Sequence, residues 1–129
     1  MIEQTDLIVT EWIYISPVNF PGSDKITSHV SLEVMKKSSS TKKGIGCRFT
    51  CKFLNGNDTI LLYAGEDSYV IDTGDAIDKN EILNMIRNSY SKFTQKFDFR
   101  KTGTALENKT LIALDEKNID ISAILPLLN

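Results

Sequence analysis

The sequence predicts an α+β protein, in which an antiparallel sheet of about four strands carries a long C-terminal-half helix on one face. Two observations support this prediction. Before Asp72, apolar and polar residues mostly alternate, which is typical of half-buried strands. After Gly74, apolar residues recur every three or four positions, which is typical of an amphipathic helix. A run of strands followed by a long helix indicates separate sheet and helix layers.

Length and charge narrow the class of protein. The 129 residues are expected to form a single domain, residues 1–129. A content of 41% hydrophobic and 25% charged residues is ordinary for a globular chain that buries a core without disulfides or metals. The net charge of −2 argues against a nucleic-acid partner, since nucleic-acid binders usually present a basic face.

The N-terminal segment MIEQTDLIVTEW carries Glu3, Asp6 and Glu11 among its apolar residues, and it lacks the basic stretch of a signal peptide. No apolar run approaches the roughly 18 residues that a membrane-spanning helix needs. We therefore expect a cytoplasmic protein without membrane insertion.

The first two strands are bounded by residues that break strands. Residues 7–15 carry apolar side chains on both parities, so both faces of this strand are expected to be covered. The prolines and glycine of PVNFPGSD then end it. The second strand has one polar face and one apolar face, and the apolar face consists of Ile26, Ser28, Val30, Leu32 and Val34. A solvated loop or hairpin tip is expected from Lys36 to Gly44, because its lysines and serines cannot form a core.

The third strand begins a predicted hairpin. Its apolar face consists of Ile45, Cys47, Phe49, Cys51 and Phe53. Asn55-Gly56 is a strong hairpin signal, and TILLYA is predicted to return antiparallel. We expect another turn at Gly65-Glu66-Asp67, followed by a short extended piece, SYVID.

A capping box marks the start of the helix. Asp78 is a good N-cap residue, and Glu81 follows three residues later. The helix is predicted from Lys79 to Phe99 or Thr102, with Gly103 as the left-handed cap. Its apolar stripe consists of Ile82, Leu83, Ile86, Tyr90, Phe93 and Phe97. The final segment, IDISAILPLLN, is either a short helix or an extended tail.

Asp72-Thr73-Gly74 is the tripeptide of aspartic proteases, which bring two carboxylates together to share a proton. YVIDTG resembles that family over six residues only. The family follows its motif with a glycine-rich flap, whereas here a helix begins almost at once. We interpret the tripeptide as a turn leading to the N-cap.

No catalytic residue, metal ligand or cofactor site is predicted, and we do not expect an enzyme. His29 is the only histidine and lies on the polar face of its strand. The acidic residues before the helix do not have the spacing of a calcium loop. Cys47 and Cys51 would lie about 13 Å apart in a strand, which is too far for a disulfide, so we expect free thiols in the core.

Aromatic residues in the strands have two explanations. The first is packing in the core, and the second is an apolar groove on the sheet that contacts a partner. On the second explanation, the candidate partner-binding residues are Trp12, Tyr14, Phe20, Tyr63 and Tyr69.

The chain resembles the SecB-like export chaperones in HVSLEVM, in GIGCRFTCKFLNGNDTILLYAGEDSYVID and in the helix that follows, roughly from Ile26 to Asn129. In that family a long strand, a hairpin and a short acidic-then-aromatic strand precede a long helix. The resemblance implies a four-stranded sheet with helices on one face, association into dimers or tetramers, and apolar grooves that hold unfolded polypeptide. The family also includes smaller relatives whose role is unclear or linked to toxin–antitoxin systems.

We therefore expect a non-enzymatic protein that binds unfolded polypeptide or a protein partner and forms a homo-oligomer, a dimer or a tetramer. One alternative is a small-molecule-binding or catalytic domain with its pocket between sheet and helix. Another is a phage or accessory structural subunit.

Overall fold

The computed structural model describes residues 2–4, 8–14, 26–38, 43–71, 78–104, 106–112, 117 and 119. Within them the elements are β1 (Ile2–Gln4), β2 (Ile8–Tyr14), β3 (Ile26–Ser38), β4 (Lys43–Asn55), β5 (Asp58–Ile71) and α1 (Lys79–Arg100). The predicted α+β class, with an antiparallel sheet and a long helix in the C-terminal half, is confirmed.

The sheet is four strands wide, because β1 and β2 lie end to end along the same edge of β5. β1 pairs with residues 69–71 of β5, and β2 pairs with residues 61–66. β4 lies on the other side of β5, and β3 forms the opposite edge of the sheet. Every pairing is antiparallel. The sequence did not indicate β1 as a separate strand.

β3 and β4 form a long hairpin whose register runs from Ile26–Asn55 to Ser38–Lys43. The predicted faces of both strands are confirmed. On β4 the apolar set is fully buried or nearly so, while on β3 the residues of the opposite parity, such as His29 and Glu33, are exposed. Both strands continue into the predicted loop, of which residues 39–42 lie outside the described residues.

The hairpin between β4 and β5 turns at Gly56-Asn57, as Asn55-Gly56 predicts. Gly56 has a φ of 61°. This left-handed conformation favours glycine, because it has no Cβ to clash with the backbone. The turn therefore fixes the register of the two strands.

The predicted turn at Gly65-Glu66-Asp67 is wrong, because β5 continues unbroken through these residues. Gly65 pairs with Phe49 of β4 on one side and with Val9 of β2 on the other. Hydrogen-bonded neighbours on both sides therefore override the local preference of these residues for a turn.

Helix α1 begins as predicted. The backbone N–H of Glu81 donates to Oδ1 of the N-cap residue Asp78 over 2.8 Å. The helix ends at Arg100, and Gly103 follows with a φ of 80°. No helix in the described ranges has both the length and the apolar character that crossing a membrane requires. Asp72-Thr73-Gly74 and residues 120–129 lie outside the described residues.

The core lies between α1 and the face that β4 and β5 present to it. Tyr63 and Phe93 stack with their ring centroids 4.1 Å apart, and Phe49 lies 5.4 Å from Phe93. Burial of such an aromatic side chain contributes about 2–3 kcal/mol. Cys47 and Cys51 are buried free thiols in this core, as predicted.

Candidate partner-binding surface

A polar cluster lies inside the interface between sheet and helix. The Oγ of Ser89 on α1 donates to Oδ2 of Asp67 on β5 over 2.8 Å. The hydroxyl of Tyr69 donates to the carbonyl of Met85 over 2.8 Å and also contacts Ser89 Oγ. Asp67 and Ser89 are fully buried, so a substrate cannot reach this cluster in this conformation.

Cys47 lies beside the same cluster, and its environment suppresses ionisation. Burial raises the pKa of the Cys47 thiol to about 12; the negative charge of Asp67 adds to this, and a hydrogen bond from Ser89 opposes it. Burial also raises the pKa of Cys51 to about 12. Since the thiolate is the reactive form, both thiols are poor nucleophiles at neutral pH.

No group of three or more His, Cys, Asp or Glu side chains is placed to hold a metal ion among the residues that the structure describes.

Two of the five predicted partner-binding residues lie in the core. Tyr63 is 0% exposed and Tyr69 is 3% exposed, and helix α1 of the same chain covers both. The hydroxyl of Tyr63 donates to the carbonyl of Phe93 over 2.9 Å, and burial raises its pKa well above the usual range. A partner cannot contact either ring in this conformation, which agrees with the core-packing explanation. Phe20 lies outside the described residues.

Trp12 and Tyr14 lie together on β2, where the core reaches the edge of the sheet. Both are half-buried, and Trp12 packs against Tyr63 with ring centroids 5.3 Å apart. The guanidinium carbon of Arg100 lies 5.8 Å from the Trp12 ring centroid, within the range of a cation–π contact. Ile13 points to the other face and is 49% exposed, so the expectation that both faces are covered is wrong there. We call Trp12 and Tyr14 the aromatic edge.

A second apolar surface lies at the opposite side of the sheet, and sequence reasoning did not assign it to a partner. Val30, Leu32 and Val34 of β3 are half-buried and pack against the core. Within the described ranges, no strand pairs with the outer side of β3. An edge strand of 13 residues presents backbone donors and acceptors that another chain can pair with. We call this surface the β3 edge.

The comparisons with known proteins concern the fold. No protein-family model matches the chain, and no curated protein matches it. A SecB-like chaperone of Mycobacterium tuberculosis, solved in complex with a ChAD peptide from the HigA1 antitoxin, has a similar structure with a TM-score of 0.60 at 12% identity. The alignment covers 89% of this chain and 91% of that one.

A protein of unknown function from Streptococcus agalactiae aligns over 89% of this chain and 97% of that one, at 12% identity and a TM-score of 0.44. A score this low does not establish a common fold. The first likeness, by contrast, shows that the described sheet and helix have the fold of a SecB-like chaperone.

Proposed function

We propose that this protein is a non-enzymatic binding protein related to the SecB-like chaperones, and that it holds unfolded polypeptide or a protein partner. The SecB-like fold carries the proposal, because the chaperone that shares it was solved with a bound peptide. The aromatic edge and the β3 edge supply apolar surface for such a ligand.

The β3 edge suits an extended client segment. A segment that adds as a further strand forms backbone hydrogen bonds that do not depend on its sequence. Its alternate side chains then pack against Val30, Leu32 and Val34. This mode of binding accepts many sequences, which is what a chaperone for unfolded chains requires.

On this proposal the protein forms a homo-oligomer, either a dimer or a tetramer. It acts in the cytoplasm and needs no cofactor. Association of subunits would place several sheet edges in one particle. A long unfolded client could then contact more than one edge, and linked contacts bind more tightly than separate ones.

Retention of a reduced, unfolded client in solution tests the proposal directly. The wild-type protein should suppress client aggregation. Val30→Ser should weaken client binding about fivefold to tenfold, because burying a valine side chain contributes about 1–1.5 kcal/mol.

His29→Ser is the matched control, since His29 is the adjacent residue and is exposed on the other face of β3. It should bind clients as the wild type does and keep the wild-type melting temperature. Val30→Ser should melt a few degrees lower, because Val30 packs against the core, so client binding is compared at a temperature where both variants are folded. If the wild-type protein neither binds clients nor keeps them soluble, the proposed function is wrong.

A further inference from the structure

A stripe of basic residues and an exposed aromatic ring line an open groove beside the C-terminal half of α1. The groove has a volume of about 570 Å³ and is lined by Lys92, Gln95, Lys96, Phe99 and Arg100. These residues recur at three- and four-residue spacing, so they share one side of the helix. This side differs from the core-facing stripe, which contains Phe93 and Phe97.

Phe99 does not contribute to the core of this chain. Its side chain is 84% exposed, although the neighbouring phenylalanines of the helix, Phe93 and Phe97, are fully buried. A large aromatic side chain that lines a groove and stays exposed is available for contact with another molecule. Phe99 therefore indicates that the occupant of the groove has an apolar group.

The basic residues of the groove indicate the charge of its occupant. Lys92, Lys96 and Arg100 follow one another every four residues, and none of the described groove-lining residues is acidic. The nearby carboxylate of Asp98 is paired with Lys101, with Oδ1 and Nζ 3.2 Å apart. Like charges at four-residue spacing repel each other along a helix, and an anionic ligand would relieve this repulsion.

The groove is thus a local positive region on a chain of net charge −2. Lys92 and Arg100 are about 12 Å apart along the helix axis, at about 1.5 Å per residue. An extended peptide covers this distance with about four residues. Long polyanions would meet the negative charge of the remaining surface, whereas a short acidic segment would not.

We propose that this groove docks an acidic peptide segment of about four residues that also carries an apolar side chain. Its carboxylates pair with Lys92, Lys96 and Arg100, and its apolar side chain packs on Phe99. Arg100, which lines the groove, also lies over Trp12 of the aromatic edge. The proposal rests on the proposed peptide-binding function and specifies the chemistry of the client.

Fluorescence anisotropy with three labelled eight-residue peptides tests this docking site. The peptides share one central leucine and carry glutamates, glutamines or lysines around it. The glutamate peptide should bind at least about tenfold more tightly than the glutamine peptide, and sodium chloride at about 0.5 M should remove most of the difference. The lysine peptide should bind most weakly.

Substitutions inside and outside the groove test where the glutamate peptide binds. Lys96→Glu and Phe99→Ser should each weaken binding of the glutamate peptide at least about fivefold, a loss well above that of a rim residue. Lys52→Glu is the control for charge, because Lys52 is exposed on β4, on the sheet face away from the helix. It should change the affinity less than about twofold. Far-ultraviolet circular dichroism should show intact helix content in all three variants.

Several other outcomes would overturn the docking site. Equal binding of the glutamate and glutamine peptides, or an equal effect of Lys52→Glu and Lys96→Glu, overturns the docking site. The docking site is also wrong if a single-stranded oligonucleotide competes for the groove more strongly than the glutamate peptide does. It is equally wrong if Lys96→Glu dissociates a homo-oligomer, because the groove would then be a subunit interface. If the wild-type protein still keeps unfolded clients soluble in these cases, the proposed function is supported although the docking site is wrong. Failure of every peptide and every unfolded client to bind removes both.

Discussion

Ser89 of helix α1 donates a hydrogen bond to Asp67 of the central strand β5, with 2.8 Å between Oγ and Oδ2. Both side chains are fully buried in an interface that is otherwise mostly apolar. Hydrogen bonds to a carboxylate are among the stronger ones in proteins, and a buried carboxylate is costly without them. Together with the hydrogen bonds from Tyr63 to Phe93 and from Tyr69 to Met85, this bond sets where the helix lies along the sheet.

Ser89→Ala should lower the free energy of unfolding by about 1–3 kcal/mol, because the buried carboxylate of Asp67 loses a donor. Urea denaturation at neutral pH measures the loss. Ser91→Ala is the matched control: Ser91 is exposed on the same helix, and its replacement should change stability by less than about 0.5 kcal/mol. Equal stability of the two variants would show that the buried bond contributes nothing.

Asp78→Ala should destabilise the protein by about 1 kcal/mol, because the backbone N–H of Glu81 loses its acceptor at the helix N-terminus. Asp78→Asn keeps a side-chain oxygen in the same position and should cost no more than a few tenths of that amount. Thermal unfolding of the two variants distinguishes the loss of the cap from the loss of the charge. A large loss in both would assign the effect to charge instead.

Stability should fall in alkaline solution, because burial raises the pKa of both thiols to about 12 from an ordinary value of 9.0. Between these pH values the folded thiols keep protons that the unfolded chain has released. The free energy of unfolding then decreases with pH by about 1.4 kcal/mol per pH unit for each thiol. Below about pH 8 both states are protonated, and these groups leave stability unchanged.

Urea midpoints at about pH 7, 8.5 and 10.5 measure this dependence. Tyr90 adds to the decline at the upper end, since burial raises its pKa to about 12 from 10.0. Cys51→Ala should show a shallower alkaline decline than the wild type, whatever its stability at neutral pH. A wild-type midpoint that stays constant to pH 10.5 would contradict the assignment of buried, protonated thiols.

Local pattern was sufficient to predict the β3–β4 hairpin and the start of the helix. The strict alternation from Ile45 to Phe53 has one physical solution, a strand with one buried face. The capping box at Asp78 likewise depends only on residues three positions apart. In both cases the interactions that determine the structure are close in sequence.

The continuation of β5 was missed because its cause is distant in sequence. Gly65 is held by Phe49 and Val9, and the carboxylate of Asp67 accepts a hydrogen bond from a serine 22 residues later. The same limit applies to the candidate site. Trp12 and Tyr63 are cross-strand neighbours, yet one lies at the sheet edge and the other under the helix. Their different burial depends on the order of the strands in the sheet, and the alternation of apolar and polar residues does not reveal that order.

Light scattering in solution should give a particle mass of two or four times the 14.5 kDa of the chain. The SecB-like resemblance implies this association, and the β3 edge stays open for clients only if the subunits associate through another surface. A monomer at about 100 μM would remove the predicted homo-oligomer.

Binding of an unfolded client should change the fluorescence of Trp12, the only tryptophan of the chain. Trp12 is half-buried on the aromatic edge, so a client that covers it should shift its emission to shorter wavelength. The shift should survive moderate salt, since the contact is apolar and salt screens mainly exposed charges. Burial of such a ring at an interface contributes about 2 kcal/mol or more.

The titration uses a reduced client that lacks tryptophan, so that all tryptophan emission comes from Trp12. Arg100→Gln is the informative variant, because it removes the cation 5.8 Å from the ring without changing the aromatic edge itself. It should keep the shift with a glutamine-rich apolar client and weaken the response to an acidic one. A client that stays soluble without any change in Trp12 emission would exclude the aromatic edge and assign binding to another surface, with the β3 edge as the next candidate.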